Sequence, residues 1–202
     1  VVATGGVSYA STGSTGDGYR FAKDSGHKVT DVKPALVPFT VKESWPLTLQ
    51  GLALKNVEVT LTDGKKEIYH GFGEMLFTHF GISGPLILSA SSYYCKKYFD
   101  KEVQLSLDLK PALSAEQLDK RILRDFEEKK NKQLKNALDG LLPAKMIPVI
   151  IALAQIPAEK YVHDITREER QILVDLLKKL PITVTGTRPF YAAIICQGGI
   201  SV

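Results

Sequence analysis

Cysteine is scarce, with two in 202 residues, and that scarcity closes two routes to a stable fold. Cys95 and Cys196 lie about half the chain apart with no C-x-x-C pair, so neither a zinc site nor a disulfide scaffold has support. Both read as buried apolar thiols in a reducing compartment. No run is long and apolar enough to span a bilayer, and no charged segment leading into an apolar one opens the chain. The expectation is a cytoplasmic protein without membrane attachment. The net charge is also small, at +4, so composition alone gives no ground for a nucleic-acid partner. Repeats and low-complexity stretches are absent. What remains is an ordinary globular composition, 44% apolar and 24% charged, long enough for one large or two small domains.

Both ends are apolar runs that meet glycines. Val1-Val2-Ala3 leads into Thr4-Gly5-Gly6, and Ile194-Ile195-Cys196 leads into Gln197-Gly198-Gly199-Ile200-Ser201-Val202. A native domain rarely starts and stops on buried strands, so both are expected to be edges of one parent sheet that the middle of the chain interrupts. The first arm reads strand over Val1 to Thr4, then a loop of small residues, then a helix that ends at Gly26. Asp17 sits where a carboxylate favours a helix N-terminus.

From about Pro34 the apolar period changes to two. Val37, Phe39 and Val41 alternate with polar or small residues, as do Val57, Val59 and Leu61, and Val103, Leu105, Leu107 and Leu109. Asp63-Gly64 marks a hairpin whose return strand covers about Glu67 to Phe72 and extends towards Phe77. Proline just inside a helix start predicts a helix over Pro85 to Lys97. Ser114 to Lys179 reads as helical throughout. Ser114-x-x-Gln117 and Thr166-x-x-Glu169 have capping-box form. Leu118, Ile122, Leu123 and Phe126 mark one buried face, and Ile172, Leu173, Leu176, Leu177 and Leu180 another. Two shorter helices are expected between them, Leu134 to Leu142 and Pro143 to Ala154, the second kinked or broken at Pro148. Strand character returns at Ile182-Thr183-Val184-Thr185. The helices are therefore nested inside a set of strands, and the strands inside the parent sheet.

The loop Thr12-Gly13-Ser14-Thr15-Gly16-Asp17-Gly18 is the most informative stretch. Glycines let backbone approach a ligand closely, and a loop opening into a helix presents free N–H groups; a plain turn would use the same residues. Ala3-Thr4-Gly5-Gly6 resembles the turn beside the flavin in two-dinucleotide-binding-domain flavoproteins. Thr4 through Tyr19 to Gly26-His27, with Phe77-Thr78-His79-Phe80-Gly81-Ile82-Ser83-Gly84-Pro85, Gly186-Thr187-Arg188-Pro189 and Gly198-Gly199-Ile200-Ser201, is similar to the BaiN/YhiN-like, aminoacetone-oxidase-like flavoproteins. These matches fall in family order along nearly the whole chain. Ala10 departs from the family, which usually has proline there.

The resemblance implies an α+β fold: a flattened, mostly antiparallel β-barrel with a small nested helical subdomain, flanked by stubs of a Rossmann-like FAD-binding domain. The stubs would be residues 1–33 and 193–202, the barrel 34–112 and 181–192, and the helical subdomain 113–180. It also implies FAD in a longer parent oxidoreductase that acts on a small-molecule substrate, with NAD(P)H as a possible electron donor. Thr4, Gly5, Gly6, Thr12, Gly13, Thr15, Gly16, Asp17, Gly18, Gly198 and Gly199 would lie along the cofactor, with Tyr19 and Arg188 towards substrate. The G-x-G-x-x-G turn that holds a pyrophosphate does not occur in these residues, so the chain alone is expected to bind no FAD and to be colourless.

His79 is the candidate catalytic residue, because imidazole exchanges protons near neutral pH; the competing role is to cap the turn before the Pro85 helix. His27 reads as structural, and His70 and His163 as solvent-facing or capped with no metal pattern. Arg188 either binds an anionic substrate or pairs with a carboxylate at the barrel edge. Lys120, Arg121, Arg124, Lys129, Lys130, Lys132 and Lys135 form a basic cluster that suggests an alternative, a nucleic-acid or protein-binding module attached to a flavoprotein. Interleaved Asp119, Asp125, Glu127 and Glu128 favour a solvated face of ion pairs.

Overall fold

The computed structural model describes residues 2–201. Six antiparallel strands close into a barrel in the order β2-β5-β4-β3-β6-β7. They are β2 (Phe39–Val41), β3 (Ala53–Asp63), β4 (Lys66–Thr78), β5 (Gly81–Ser83), β6 (Val103–Asp108) and β7 (Leu180–Thr187). The two-residue periods become inward faces: Val57, Val59 and Leu61 of β3 and Val103, Leu105 and Leu107 of β6 are buried, as the pleat of a half-buried strand requires. The Asp63-Gly64 turn forms as expected, with Asp63 opposite Lys66, and β4 runs on to Thr78.

A one-turn helix, α2 (Trp45–Thr48), precedes β3, and helix α3 (Pro85–Lys97) starts at the proline and buries Leu86, Ile87, Ala90, Ser91, Tyr94 and Cys95. Tyr94 meets Phe39 edge to face with ring centroids 5.3 Å apart, and its hydroxyl donates to the Lys101 carbonyl at 2.8 Å. Buried Ser91 donates to Leu88 O and accepts from the Val37 N–H at 2.9 Å, tying the helix to the chain entering the barrel.

Between β6 and β7 lie α4 (Ala115–Glu128), α5 (Met146–Ala154) and α6 (Arg167–Lys178). Both capping boxes are present, at Ser114 and Thr166. Three expectations are corrected. The helix over Leu134 to Leu142 is instead two 3-10 turns, Leu134–Asn136 and Leu138–Gly140. There the Asp139 carboxylate accepts from the Gly140 N–H, and Lys129 Nζ donates to the Ala137 carbonyl, local bonds that compete with a helical ladder. Pro148 neither kinks nor breaks α5, because it falls in the first turn, where its missing N–H would have no intrahelical partner. Leu123 and Ile172 are exposed rather than buried. Each lies about 100° around its helix from the buried neighbour, outside the stripe facing the core.

The arms form a second, smaller unit. Helix α1 (Asp17–Asp24) has Asp17 in its first turn, as expected, and Gly26 just beyond its end. Strand β1 (Lys33–Ala35) straddles the expected domain boundary and pairs antiparallel with β8 (Ile195–Gln197). A Val29–Ile200 bridge extends the pairing. Val1 and Val202 lie outside the described residues, and the strand expected through Thr4 does not form over Val2 to Thr4. An extended segment becomes a strand only when a neighbour takes up its backbone groups, and no described residue does so here.

Candidate flavin-side cleft

The arms converge. Thr4 and Gly5 from the first turn, Gly18 and Tyr19 from α1, and Gly198 and Gly199 from the far end line one cleft of about 270 Å³. Hydrogen bonds fasten the closing segment: Thr30 N–H donates to Gly199 O at 2.8 Å, the Gly199 N–H donates to Thr30 Oγ1 at 3.0 Å, and the Ser201 N–H donates to Lys28 O at 2.8 Å. Cys196 is half-buried rather than fully buried, and its sulfur accepts from the Val7 N–H at 3.3 Å. Burial raises the Tyr19 phenol above its ordinary pKa, reinforced by the neighbouring Cys196 thiol.

Close approach explains the missing side chains. A Cβ on Gly18 would stand 2.1 Å from Thr4 Oγ1, and one on Gly199 would stand 3.2 Å from the Tyr19 ring. Gly199 therefore serves the packing of one arm onto the other, and Gly18 the packing of α1 against the start of its own arm. The lining carries no charged side chain, so the cleft suits a neutral ring system. Its volume lies just below that of typical ligand sites, which run from about 300 to 1,000 Å³, so it is too small for a whole dinucleotide.

The remaining loop residues stand apart. Thr12, Gly13, Thr15 and Asp17 are exposed and do not line the cleft. Thr12 Oγ1 donates to Tyr9 O at 2.7 Å, and Thr15 Oγ1 to Asp17 at 2.9 Å. Asp17 also pairs with Arg20 at 3.1 Å, so the start of α1 already holds a carboxylate, which disfavours a phosphate there. Gly6 and Gly16 back the cleft from behind, against Cys196 and Val7.

A second group occupies the barrel rim. The Arg188 guanidinium lies 4.7 Å from the Phe80 ring centroid and 5.6 Å from that of Tyr191, and donates to the Tyr191 hydroxyl at 2.6 Å. The expected ion pair is not found: among the described residues no carboxylate lies within bridging distance of Arg188, and its buried Nε has no partner. The aromatic faces stabilise the cation in place of a counter-ion. His79 is exposed beside the Phe80 edge, 4.8 Å between centroids, and among the described residues makes no hydrogen bond, so it does not cap the turn. His27, expected to be structural, is instead exposed; His70 is beside Glu58 and His163 Nδ1 donates to Lys130 O at 2.6 Å, in keeping with capped or solvent-facing roles. No group of three or more metal-ligating side chains occurs among the described residues, and no described helix is long and apolar enough to cross a membrane.

Fold and cleft together define a barrel module interrupted by helices and carried on two glycine-rich arms that meet. Residues 33–195 match the family described as HI0933-like protein barrel and H2TH domain, and the chain belongs to that family. The BaiN/YhiN-like resemblance is thereby borne out. Among curated proteins the chain is 28% identical over 201 residues to a 3-dehydro-bile acid delta(4,6)-reductase of Clostridium scindens, covering 99% of this chain and 49% of that one. It is 31% and 30% identical to ribosomal RNA dihydrouridine synthases of Haemophilus influenzae and Escherichia coli, covering 99% of this chain and 47% of each. The chain thus spans about half the length of the curated relatives it matches.

Proposed function

We propose that this chain is the central portion of an FAD-dependent reductase of the cytoplasm. The cleft at Thr4, Gly5, Gly18, Tyr19, Gly198 and Gly199 is the part of the cofactor wall that it contributes, and the barrel shapes the substrate side. One observation carries this reading: segments more than 190 residues apart meet in a single uncharged cleft lined largely by glycine. Such a wall gives backbone N–H and C=O groups to the edge of a flat ring while keeping charge away from it. The phosphates need donors that this cleft lacks, and these belong to residues outside the chain. Exposed Val2, Tyr9, Phe21, Ile194 and Ile195 give the arms an apolar surface for those residues to cover.

The names of the relatives support a reaction class. Dihydrouridine is uridine with two hydrogens added, and the bile-acid name specifies reduction in a double-bonded ring system. We take the shared step to be addition of two hydrogens across a carbon–carbon double bond. FAD supplies the hydride chemistry when bound, with NAD(P)H as the electron source. This chain's own residues position the acceptor: Arg188, held rigid by Phe80 and Tyr191 and lacking a carboxylate, is the anion anchor at the rim. His79 is the residue of that rim able to deliver a proton.

The test joins the flanking reading frame to this chain. A yellow protein whose flavin absorbance bleaches anaerobically with NADPH or NADH supports the reading, while the 202 residues alone stay colourless. In the joined protein Arg188→Ala raises KM for the substrate with little change in flavin content. A joined protein that purifies folded but without flavin overturns the proposal.

A further inference from the structure

We propose that the seam between the barrel and the helical subdomain binds a small amphipathic carboxylate, a short acyl chain with one anionic end, held by Lys110. The cleft there has a volume of about 290 Å³. Leu54 and Val57 of β3 and Leu109 just beyond β6 form its barrel wall, and Leu141, Leu142 and Met146 its helical wall; all six are buried. An irregularity shapes the barrel wall. Leu54 pairs with Met75 and Val57 with Gly73, so Lys55 and Asn56 stand against Glu74 alone, and Asn56 takes a left-handed φ of +55°. Such a bulge bends its strand and interrupts the ladder, and bulges gather where a strand borders a site.

The charge of this lining is one-sided. Lys55 and Lys110 are its cations, and no carboxylate lines it. Lys55 pairs with Glu74 at 3.9 Å, both side chains being exposed. Lys110 is half-buried, and among the described residues its ammonium makes neither an ion pair nor a hydrogen bond. The carboxylate two residues before it, Asp108, is occupied by Lys178 Nζ at 2.5 Å and by the Lys110 backbone N–H at 2.8 Å. Burial pulls the Lys110 ammonium below its ordinary pKa, and the Arg121 guanidinium adds to the effect. A cation partly removed from water without a counter-ion is destabilised, and an incoming carboxylate supplies the counter-ion that the fold withholds.

Apolar walls and a modest volume decide the rest of the ligand. The cleft lies just below the usual range of ligand sites, about 300 to 1,000 Å³, which suits a short chain. A larger apolar groove of about 580 Å³ runs beside Ile147, Ile151 and Ile156, but its lining cation, Lys135, is paired with Glu159 at 3.5 Å, so nothing there selects an anion. The seam shares no lining residue with the cleft between the arms, and the site does not rest on the flavin reading. A ligand that touches both walls binds best when barrel and helical subdomain are docked, so its differential affinity makes it an effector that clamps them together.

The probe is a series of straight-chain carboxylates from hexanoate to dodecanoate, titrated calorimetrically into the 202-residue chain below their micelle concentrations. Affinity rises about fourfold per methylene and levels off once the cleft is full. Octanol, of equal length without the charge, binds about tenfold more weakly than octanoate. Lys110→Met keeps the bulk of the stem and erases that preference; Lys110→Arg keeps it, as does Lys96→Gln, which lies outside the lining. Bound octanoate slows amide exchange at Leu141 and Leu142, whose N–H groups bond to the Leu138 carbonyl. Unfolding midpoints verify that each variant is folded. The proposal is overturned by no binding, by affinity that climbs with chain length without levelling off, by a carboxylate preference that survives Lys110→Met, or by protection at Ile151 and Ile156 in place of Leu141. Flavin content in the joined protein reads out the reductase proposal separately, so either can fail alone.

Discussion

Two glycines with nearly equal φ and opposite surroundings test whether the arms meet as described. Gly13 has φ +91° and nothing within 4 Å of an added Cβ. Gly198 has φ +92°, but its added Cβ would stand 2.1 Å from the Asp31 carbonyl oxygen and 3.3 Å from Val32 Cα. Alanine at positive φ costs about 1–2 kcal/mol, and reduced freedom of the unfolded chain returns about 0.4–1 kcal/mol. Gly13→Ala should therefore cost about 1 kcal/mol, confined to its own loop. At Gly198 a backbone oxygen cannot rotate aside, and overpacking adds about 1–3 kcal/mol, enough to detach the closing segment locally while the barrel stays folded. The assay is amide hydrogen exchange at Thr30 and Ser201, whose N–H groups bond to Gly199 and Lys28 across the junction. Gly198→Ala should speed exchange there by about 100-fold, since each 1.4 kcal/mol is about tenfold; Gly13→Ala should change it by less than about twofold. Equal acceleration in the two variants would mean that Asp31 does not lie against Gly198, and the shared cleft would lose its basis.

Two further outcomes concern the framework. Lys178 Nζ pairs with Asp108 at 2.5 Å and donates to the Lys110 and Leu113 carbonyls at 3.1 and 2.6 Å, joining α6, the end of β6 and the approach to α4. Both side chains of the pair are 18% exposed, so Lys178→Met leaves a largely buried carboxylate unpaired at a cost of about 3 kcal/mol, read as a melting midpoint lower by about 6–12 °C; a loss under 1 kcal/mol would refute the bracing role. Burial pushes the Cys95 thiol and the Tyr94 phenol each up to about 12, from 9.0 and 10.0. The unfolded chain ionises first, so stability is intact below about pH 9 and falls as pH rises towards 12, by at most about 1.4 kcal/mol per pH unit per group. Denaturant midpoints against pH should show this fall, and Cys95→Ala should delay its onset to about pH 10; an unchanged onset would show that the thiol is not the first group to act.

Local chemistry was legible in the sequence and distant chemistry was not. The alternating runs, the Asp63-Gly64 hairpin, the proline-started helix and both capping boxes depend on residues within a few positions of one another, and each forms where expected. The 3-10 turns at Leu134–Gly140 depend on Lys129 reaching the Ala137 carbonyl, a bond that helical periodicity does not report. Arg188 could be expected at a barrel edge, but its aromatic setting needed Phe80, which the barrel brings from 108 positions away.

The barrel also explains how one cleft can be assembled across so large an interruption. Strand β2 is the first of the barrel and β7 the last, and the two pair with each other, Phe39 opposite Thr187 and Thr40 opposite Gly186. Closing the barrel therefore obliges the chain to enter and leave side by side. Immediately outside that seam Ile194 N–H donates to Leu36 O at 3.1 Å, β1 pairs with β8, and the register carries on to the Val29–Ile200 bridge. Antiparallel pairing fixes register wherever one face is buried, so each step outward from the core sets the next. The final step places Gly198 and Gly199 beside Gly18 and Tyr19. An insertion that left its ends free would face the loop-closure entropy of about 150 residues, which grows only as the logarithm of length; the β2–β7 seam meets that cost within the barrel's own folding. The barrel is thus the clasp that holds the two halves of the cleft together.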